Sequence, residues 1–326
     1  MKEKILELLK NQSGYVSGQD ICNQLGVSRT AVWKNVNALK AMGYQIDSVN
    51  NRGYKLLGEP DRIDEAALRP YLHTKWMGKQ IYFKPEMDST NIQAKRLGED
   101  GEEHGTVVIT EHQTAGRGRR GKNWVSPVGV NCYFSILLRP EVLVDRASMI
   151  TLVSALALAK TIQQVTGLDT MIKWPNDVIA NGKKLCGILT ESSTDLEYIN
   201  YVVVGIGINI NQMDFSEEIR DMASSICLEI GTQVIRAELL AAFLNAFERY
   251  YEIFIETEDL SRLADEYNFL LVNREKEVKI VEKNRERILT AIGIDKTGRL
   301  LVKDAKGKQE AIVSGEVSVR GLYGYV

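Results

Sequence analysis

GRGRRGKNWVSPVGVNCYFSILL, Gly116 to Leu138, begins as glycine–arginine alternation and ends as an apolar run. Glycine bares backbone N–H groups and arginine sets cations beside them, so the first six residues suit an anion, not a core. The residues after Gly121 decide the fold. Gly116, Gly118 and Gly121 satisfy G-x-G-x-x-G, and Gly116 with Gly121-Lys122 satisfies most of G-x-x-x-x-G-K-[ST]. Both patterns need a helix directly after the loop, to receive a phosphate at its N-terminus. Here Asn123 stands where a P-loop needs a hydroxyl, Pro127 and Gly129 interrupt the chain, and the residues up to Leu138 read as a strand. TVVITEHQ, before the loop, is a strand as well. The loop therefore joins strand to strand, which excludes a Rossmann turn and a P-loop. It carries four cations, Arg117, Arg119, Arg120 and Lys122, on a flexible connection able to order around a bound anion.

Further along, MIKWPNDVIANGKKLCGILTE reads as a strand to Trp174, a break at Pro175, and a hairpin turning at Asn181-Gly182. Asn176 and Asp177 sit at the strand exit and Lys184 opens the returning strand, so a carboxylate and an ammonium flank one hairpin. YVVVGIGININ is an apolar strand whose Gly205 and Gly207 permit close approach, with Asn209 and Asn211 at its end.

Upstream, residues 1–60 hold eight Lys/Arg and five Asp/Glu, net +3, which leaves −5 for the remainder of a chain of net charge −2. A basic head on an acidic body fits nucleic acid. In that head, Ile5, Leu6, Leu8 and Leu9 form one helix face. Ser17 caps a second helix that Gly26 ends, and Ser28 caps a third whose stripe is Val32, Val36 and Leu39. Ser28, Arg29, Thr30, Trp33, Lys34 and Asn37 lie away from that stripe and suit phosphates and base edges. YQIDSVNNRGYKLLG reads as a hairpin with Arg52 projecting from its tip. The module is a winged helix-turn-helix.

With 44% hydrophobic and 26% charged residues, the chain has the balance of a globular protein. No apolar run approaches the roughly 18 residues of a membrane span, and no signal peptide is evident, so no membrane partner is expected. Four scattered cysteines and three histidines argue for a cytoplasmic location, against disulfides and against a metal centre.

In order along the chain, DSTN (88–91), QTAGRGRRGKNW (113–124), KWPNDV (173–178), KKLCGILTE (183–191) and GIGININ (205–211) resemble the biotin protein ligases. With the winged helix ahead of them, the whole chain is similar to the bifunctional biotin ligases and biotin-operon repressors of bacteria. Lipoyl ligases share that fold, but GRGRRG and KWPND speak for biotin.

The resemblance implies an α+β multidomain protein: a winged helix-turn-helix over 1–62, a mixed-sheet ligase domain over 63–271, and an SH3-like β-barrel over 272–326. It implies biotin and ATP as substrates, magnesium carried with ATP, biotinyl-5′-AMP as intermediate, and the lysine of a biotin carrier domain as acceptor. It implies a homodimer that forms with the adenylate bound and represses biotin genes at operator DNA. Ser89, Thr90, Asn91, Gln113, Gly116, Arg117, Gly118, Arg119, Lys184 and Gly187 then belong to the biotin site. Arg119, Arg120, Lys122, Trp124, Asn176 and Asn209 belong around the adenylate, and residues 212–226 take the place of a loop folding over it. Arg119, Lys184 and Asp177 are the catalytic candidates. Lys184 bridges carboxylate and α-phosphate; Asp177 either accepts the acceptor lysine's proton or orients Lys184; Trp124 either stacks on the adenylate or packs in the core. Two other readings stay open: a biotin sensor without ligation, and a ligase whose N-terminal module meets protein.

Helices are expected from Ser148 to about Val165 and from Glu238 to Phe254. VKIV, ILTAIGI, RLLVKD, EAIVSG and EVSVRG are the expected barrel strands, with Glu316 and Arg320 on the last either packed back toward the active site or at exposed alternate positions.

Overall fold

A computed structural model describes residues 1–326 apart from 42, 59, 196–197, 283–284, 315–317, 322–324 and 326. The chain divides into two compact units, Met1–Arg62 and Ile63–Val326.

In the first unit α1 (Lys2–Lys10), α2 (Gly18–Leu25) and α3 (Arg29–Ala41) precede a hairpin of β1 (Gln45–Val49) and β2 (Gly53–Gly58). The local chemistry explains the boundaries. Ser17 accepts the Asp20 N–H, and Gly26 takes the left-handed conformation that closes α2. Ser28 Oγ accepts the Ala31 N–H at 3.2 Å, so α3 starts where its cap stands. Ile5, Leu9, Ile21, Val32, Val36 and Leu39 converge on one small core. This is a winged helix-turn-helix.

The second unit is built on a seven-stranded mixed sheet. It contains β3 (Ile81–Met87), β4 (Thr106–Gln113), β5 (Cys132–Leu138), β6 (Met171–Lys173), β7 (Asp177–Ala180), β8 (Lys183–Asp195) and β9 (Tyr198–Ile208) in the order β3-β4-β5-β9-β8-β7-β6. The neighbours β3 and β4 run parallel, joined through α5 (Thr90–Glu99); the short α4 (Glu65–Leu68) precedes them. Alternation along the strands sorts the two faces. Val107, Ile109, Ile136, Val202 and Val204 pack under α6 (Met149–Thr166) and α8 (Arg236–Thr257); Val108, Leu137 and Val203 meet α5. Asn181 and Gly182 both have positive φ, as a two-residue hairpin turn between β7 and β8 requires.

α6 departs from the expectation about apolar runs. Val144–Thr166 has a mean hydropathy of 1.2 and is long enough to span a bilayer. It is apolar on nearly every side because it is a core helix, with 67% of its most apolar 18-residue stretch buried. Ser148 stands at its N-cap position but makes no side-chain cap bond.

After α7 (Ile226–Ile230), α8 and α9 (Ala264–Leu270), the chain forms a five-stranded antiparallel sheet. Its strands β10 (Glu277–Glu282), β11 (Arg285–Ile294), β12 (Leu300–Lys303), β13 (Gln309–Ile312) and β14 (Ser318–Gly321) take the order β13-β12-β11-β10-β14. All five expected strands are present; among the described residues they make an SH3-like sheet rather than a closed barrel. Glu316 lies outside the described residues, and Arg320 is described only by its place opposite Lys279 in the ladder. The Trp174 indole N–H donates to the Gly298 carbonyl at 3.0 Å and Val272 N–H to Ile172 O at 3.0 Å, which ties this sheet to β6.

Candidate active site

The middle of the large sheet is stripped of side chains. Gly187 of β8 lies opposite Gly207 of β9, and Leu189 opposite Gly205. A Cβ on Gly205 would fall 1.9 Å from Asn91 Oδ1; on Gly207, 2.5 Å from Trp124 Cε2; on Gly187, 2.8 Å from Trp124 Cζ3. The glycines let Asn91 and Trp124 lie directly on the strands. Trp124 therefore packs on the sheet, with its Nε1 buried and unpartnered.

Around Asn91 runs a polar network. The Ser135 hydroxyl donates to Asn91 Oδ1 at 2.6 Å and lies 2.8 Å from Thr90 Oγ1. Asn91 Nδ2 donates to Glu191 Oε2 at 2.7 Å and to the Leu189 carbonyl at 3.3 Å. Glu191 Oε1 holds Lys95 Nζ at 2.5 Å. Gln113 Oε1 accepts the Thr90 N–H at 3.0 Å, and Gln113 Nε2 donates to Ser126 Oγ at 3.2 Å. Ser89 occupies the N-cap position of α5 without a side-chain bond, so Gln113, from the end of β4, caps that helix in its place. Ser89, Thr90 and Asn91 are all buried. Ser135, Glu191, Lys95 and Ser126 were not expected. One had a signal: a serine inside CYFSILL, in a wholly buried strand, must find hydrogen-bond partners.

Beside this pocket stands a charged cluster. Lys184 Nζ is 2.6 Å from Asp177 Oδ1, with both side chains mostly buried. Asn176 Nδ2 donates to the same oxygen at 3.0 Å, while Asn176 Oδ1 accepts from Arg119 Nη1 at 2.6 Å. The Tyr325 hydroxyl donates to Asp177 Oδ2, and Lys173 Nζ lies 3.4 Å from the Tyr325 ring centroid. Burial lowers the Arg119 pKa from its ordinary value, an effect that Asp177 opposes and Arg120 reinforces. The Lys184 ammonium is 5.4 Å from the Trp124 ring centroid. Lys173 and Tyr325 are further members that the sequence did not disclose.

The glycine–arginine loop, expected as a flexible connection, is closed on itself. Arg117 bridges to Asn123, Gly118 N–H donates to Lys122 O at 2.7 Å, and Trp124 N–H donates to Gly116 O at 2.9 Å. Residues Arg119–Gly121 make one 3-10 turn with Arg120 at positive φ. Of the four cations, Arg119 reaches Asn176, while Arg117, Arg120 and Lys122 are exposed.

The 212–226 segment reaches the same strand. Lys184 N–H donates to Met222 O at 2.8 Å, Ser224 N–H donates to Lys184 O at 3.0 Å, and Asn209 Nδ2 donates to Ser224 O at 3.1 Å. Chemically the site sets a network of hydroxyls and amides, anchored on the Glu191–Lys95 ion pair, beside an ammonium, a guanidinium and the Asp177 carboxylate.

In the first unit Ser28, Arg29, Thr30, Trp33, Lys34 and Asn37 are all exposed, Trp33 at 56%. Arg29 donates to Gln19 Oε1 from Nε at 3.2 Å and from Nη2 at 3.0 Å. Arg52, expected to project freely from the hairpin, is exposed but leans on Tyr15, 4.7 Å above its ring, and the Tyr15 hydroxyl donates to Asp47.

Three family profiles match in order: HTH domain at 2–55, Biotin/lipoate A/B protein ligase family at 83–209, and Biotin protein ligase C terminal domain at 275–320. The chain is 34% identical to the bifunctional ligase/repressor BirA of Bacillus subtilis, covering 94% of this chain and 95% of that one. It is 31% identical to the Escherichia coli bifunctional ligase/repressor BirA, covering 97% and 96%. Among solved structures, a biotin protein ligase from Aquifex aeolicus in complex with biotin and ATP superposes with a TM-score of 0.65, at 31% identity over 74% of this chain and 99% of that one. The chain belongs to the biotin protein ligases, in the branch of bifunctional ligase/repressors that carry a helix-turn-helix domain.

Proposed function

We propose that the chain attaches biotin to a specific lysine of biotin carrier domains, with ATP converted to AMP and pyrophosphate, and that its winged helix represses biotin genes at operator DNA. Residues 1–62 serve DNA, 63–271 catalysis, and 272–326 buttress the catalytic cluster. The observation that carries the ligase reading is the chain of contacts Arg119–Asn176–Asp177–Lys184, which joins a guanidinium and an ammonium through one amide and one carboxylate.

In the first step an oxygen of the biotin carboxylate bonds to the α-phosphorus, and the bond to the bridging oxygen breaks with pyrophosphate leaving. Two anions must meet, so fixed cations are the principal requirement. Lys184 and Arg119 supply them; Arg120, Lys122 and Asn209 complete the phosphate surroundings, and magnesium enters with ATP. Thr90, Gln113, Ser89 and the Gly116–Arg117–Gly118 backbone line the biotin pocket. Asn91, whose amide is already engaged by Glu191 and Ser135, holds the pocket's shape. Gly187 keeps the valeryl path clear and Trp124 walls it. In the second step the acceptor amine attacks the acyl carbon, the bond from that carbon to the phosphate oxygen breaks with AMP leaving, and Asp177 either takes up the amine's proton or orients Lys184. Residues 212–226, tied to Lys184, shield the adenylate from water. Adenylate binding favours the homodimer that grips the operator. The working compartment is the cytoplasm.

Incubating the chain with biotin, ATP and a biotin carrier domain tests this reading. Biotinylation of one carrier lysine, seen by mass spectrometry, is the expected result. Tight biotin binding without modification would instead make the chain a sensor.

A further inference from the structure

Lys173 and Asp177 face each other as cross-strand partners of β6 and β7, a placement in which an ammonium and a carboxylate ordinarily attract. Tyr325, in the residues after β14, engages both. Its ring lies 3.4 Å from Lys173 Nζ, and its hydroxyl donates to Asp177 Oδ2. The other carboxylate oxygen receives Lys184 Nζ at 2.6 Å and Asn176 Nδ2 at 3.0 Å. Burial, and then the Asp177 charge, push the Tyr325 hydroxyl well above an ordinary phenol, so it is a protonated donor at neutral pH.

We propose that Tyr325 is a positioning residue for adenylate formation: by holding Oδ2 and covering Lys173 with its ring, it turns Oδ1 toward Lys184 and sets the angle at which that ammonium meets the two anions. The proposal rests on the ligation reading above. A carboxylate held at one oxygen has a fixed plane; released, it turns toward its cross-strand lysine and Lys184 loses its support. A displacement of about 1 Å at a reacting centre costs up to ~10²-fold in rate. Tyr325 touches no reacting atom and acts through Asp177. It also gives the segment after β14 a direct part in catalysis, whereas the bonds of Trp174 to Gly298 and of Val272 to Ile172 join only framework and backbone.

The test is Tyr325→Phe in the full chain, which keeps the ring over Lys173 and removes only the hydroxyl. In biotin-dependent exchange of pyrophosphate into ATP, kcat should fall about tenfold, the size expected for a hydrogen bond to a charged group. KM for biotin should stay within about twofold, because the pocket is untouched. A kcat within about twofold of the parent chain overturns the proposal, as does a fall of kcat and thermal midpoint together with a rise in KM, which marks lost packing. Added to Asp177→Asn and followed in single turnover, Tyr325→Phe should cost less than about twofold more; a full tenfold there also overturns it. A parent chain without any exchange would remove the ligation reading and this proposal together. An active parent with an unaffected Tyr325→Phe removes this proposal alone.

Discussion

Lys184 Nζ and Asp177 Oδ1 lie 2.6 Å apart across the hairpin of β7 and β8, and a bulge between Val178 and Ile179 shifts the register so that Asp177 pairs with Gly187 and Ile179 with Lys184. Lys184 thus sits near the turn and Asp177 further along the partner strand, and the Lys184 side chain reaches along the sheet to the carboxylate. Lys184→Ala should lower biotin-dependent pyrophosphate exchange by roughly 10²–10³-fold, the scale for losing one fixed charge at a reacting centre. The fold should survive at a cost of about 1 to 2 kcal/mol, between surface and fully buried pairs, because Asp177 keeps Asn176 and Tyr325. Denaturant titration beside the exchange assay separates the two effects.

Gly205 offers a sharper probe of the pocket. A methyl there meets Asn91 Oδ1 at 1.9 Å, so Asn91 must leave Ser135 and Glu191. Gly205→Ala should raise KM for biotin about tenfold or more and cost about 1–3 kcal/mol of stability through overpacking. Gly207→Ala, which pushes on Trp124, should show a comparable stability loss.

His104 should impose a pH slope on stability. Its Nδ1 accepts the Arg139 N–H at 2.9 Å, and its ring sits 4.3 Å from Trp76; burial first, then the Arg139 charge, lowers its pKa. The unfolded imidazole takes a proton near pH 6.5, the folded one only below that, so in between the unfolded state holds more protons. Stability therefore falls as pH drops from about 6.5 toward the folded pKa. His104→Asn, which keeps an acceptor for Arg139, should flatten this part of the curve when unfolding midpoints are compared across pH.

On the first unit, Trp33→Ala with Lys34→Ala should weaken operator binding and leave ligation unchanged. If Lys34 meets a phosphate, its loss should lower the salt slope of binding by about 1. Fluorescence anisotropy across a salt series reads both; unaltered affinity and slope would remove these residues from the groove.

How much of the fold and site was legible in the sequence depends on range. The caps at Ser17, Ser28 and Gly26, the Asn181-Gly182 turn and the five C-terminal strands are local chemistry, and they stand where the sequence places them. The pairing of Asp177 with Lys184 was legible because a hairpin joins them. Glu191 on Asn91 and Tyr325 on Asp177 were not: these partners are 100 and 148 residues apart, and nothing in a single chain of letters links them. The apolar character of α6 is masked in the sequence by its polar positions. Ser154 and Thr161 bond back to the Ile150 and Ala157 carbonyls and are buried with the rest.

In the proposed mechanism the glycine–arginine loop brings a cation to the junction of the two substrate anions, and Arg119, bonded to Asn176 at 2.6 Å, is that cation. Biotin-dependent exchange of labelled pyrophosphate into ATP, measured for the parent chain and for Arg119→Ala, tests it most directly. Exchange by the parent is expected, with a loss of about 10²-fold or more in Arg119→Ala and smaller losses in Arg117→Ala and Lys122→Ala. Equal exchange by parent and Arg119→Ala, or none by the parent while biotin still binds, would contradict it.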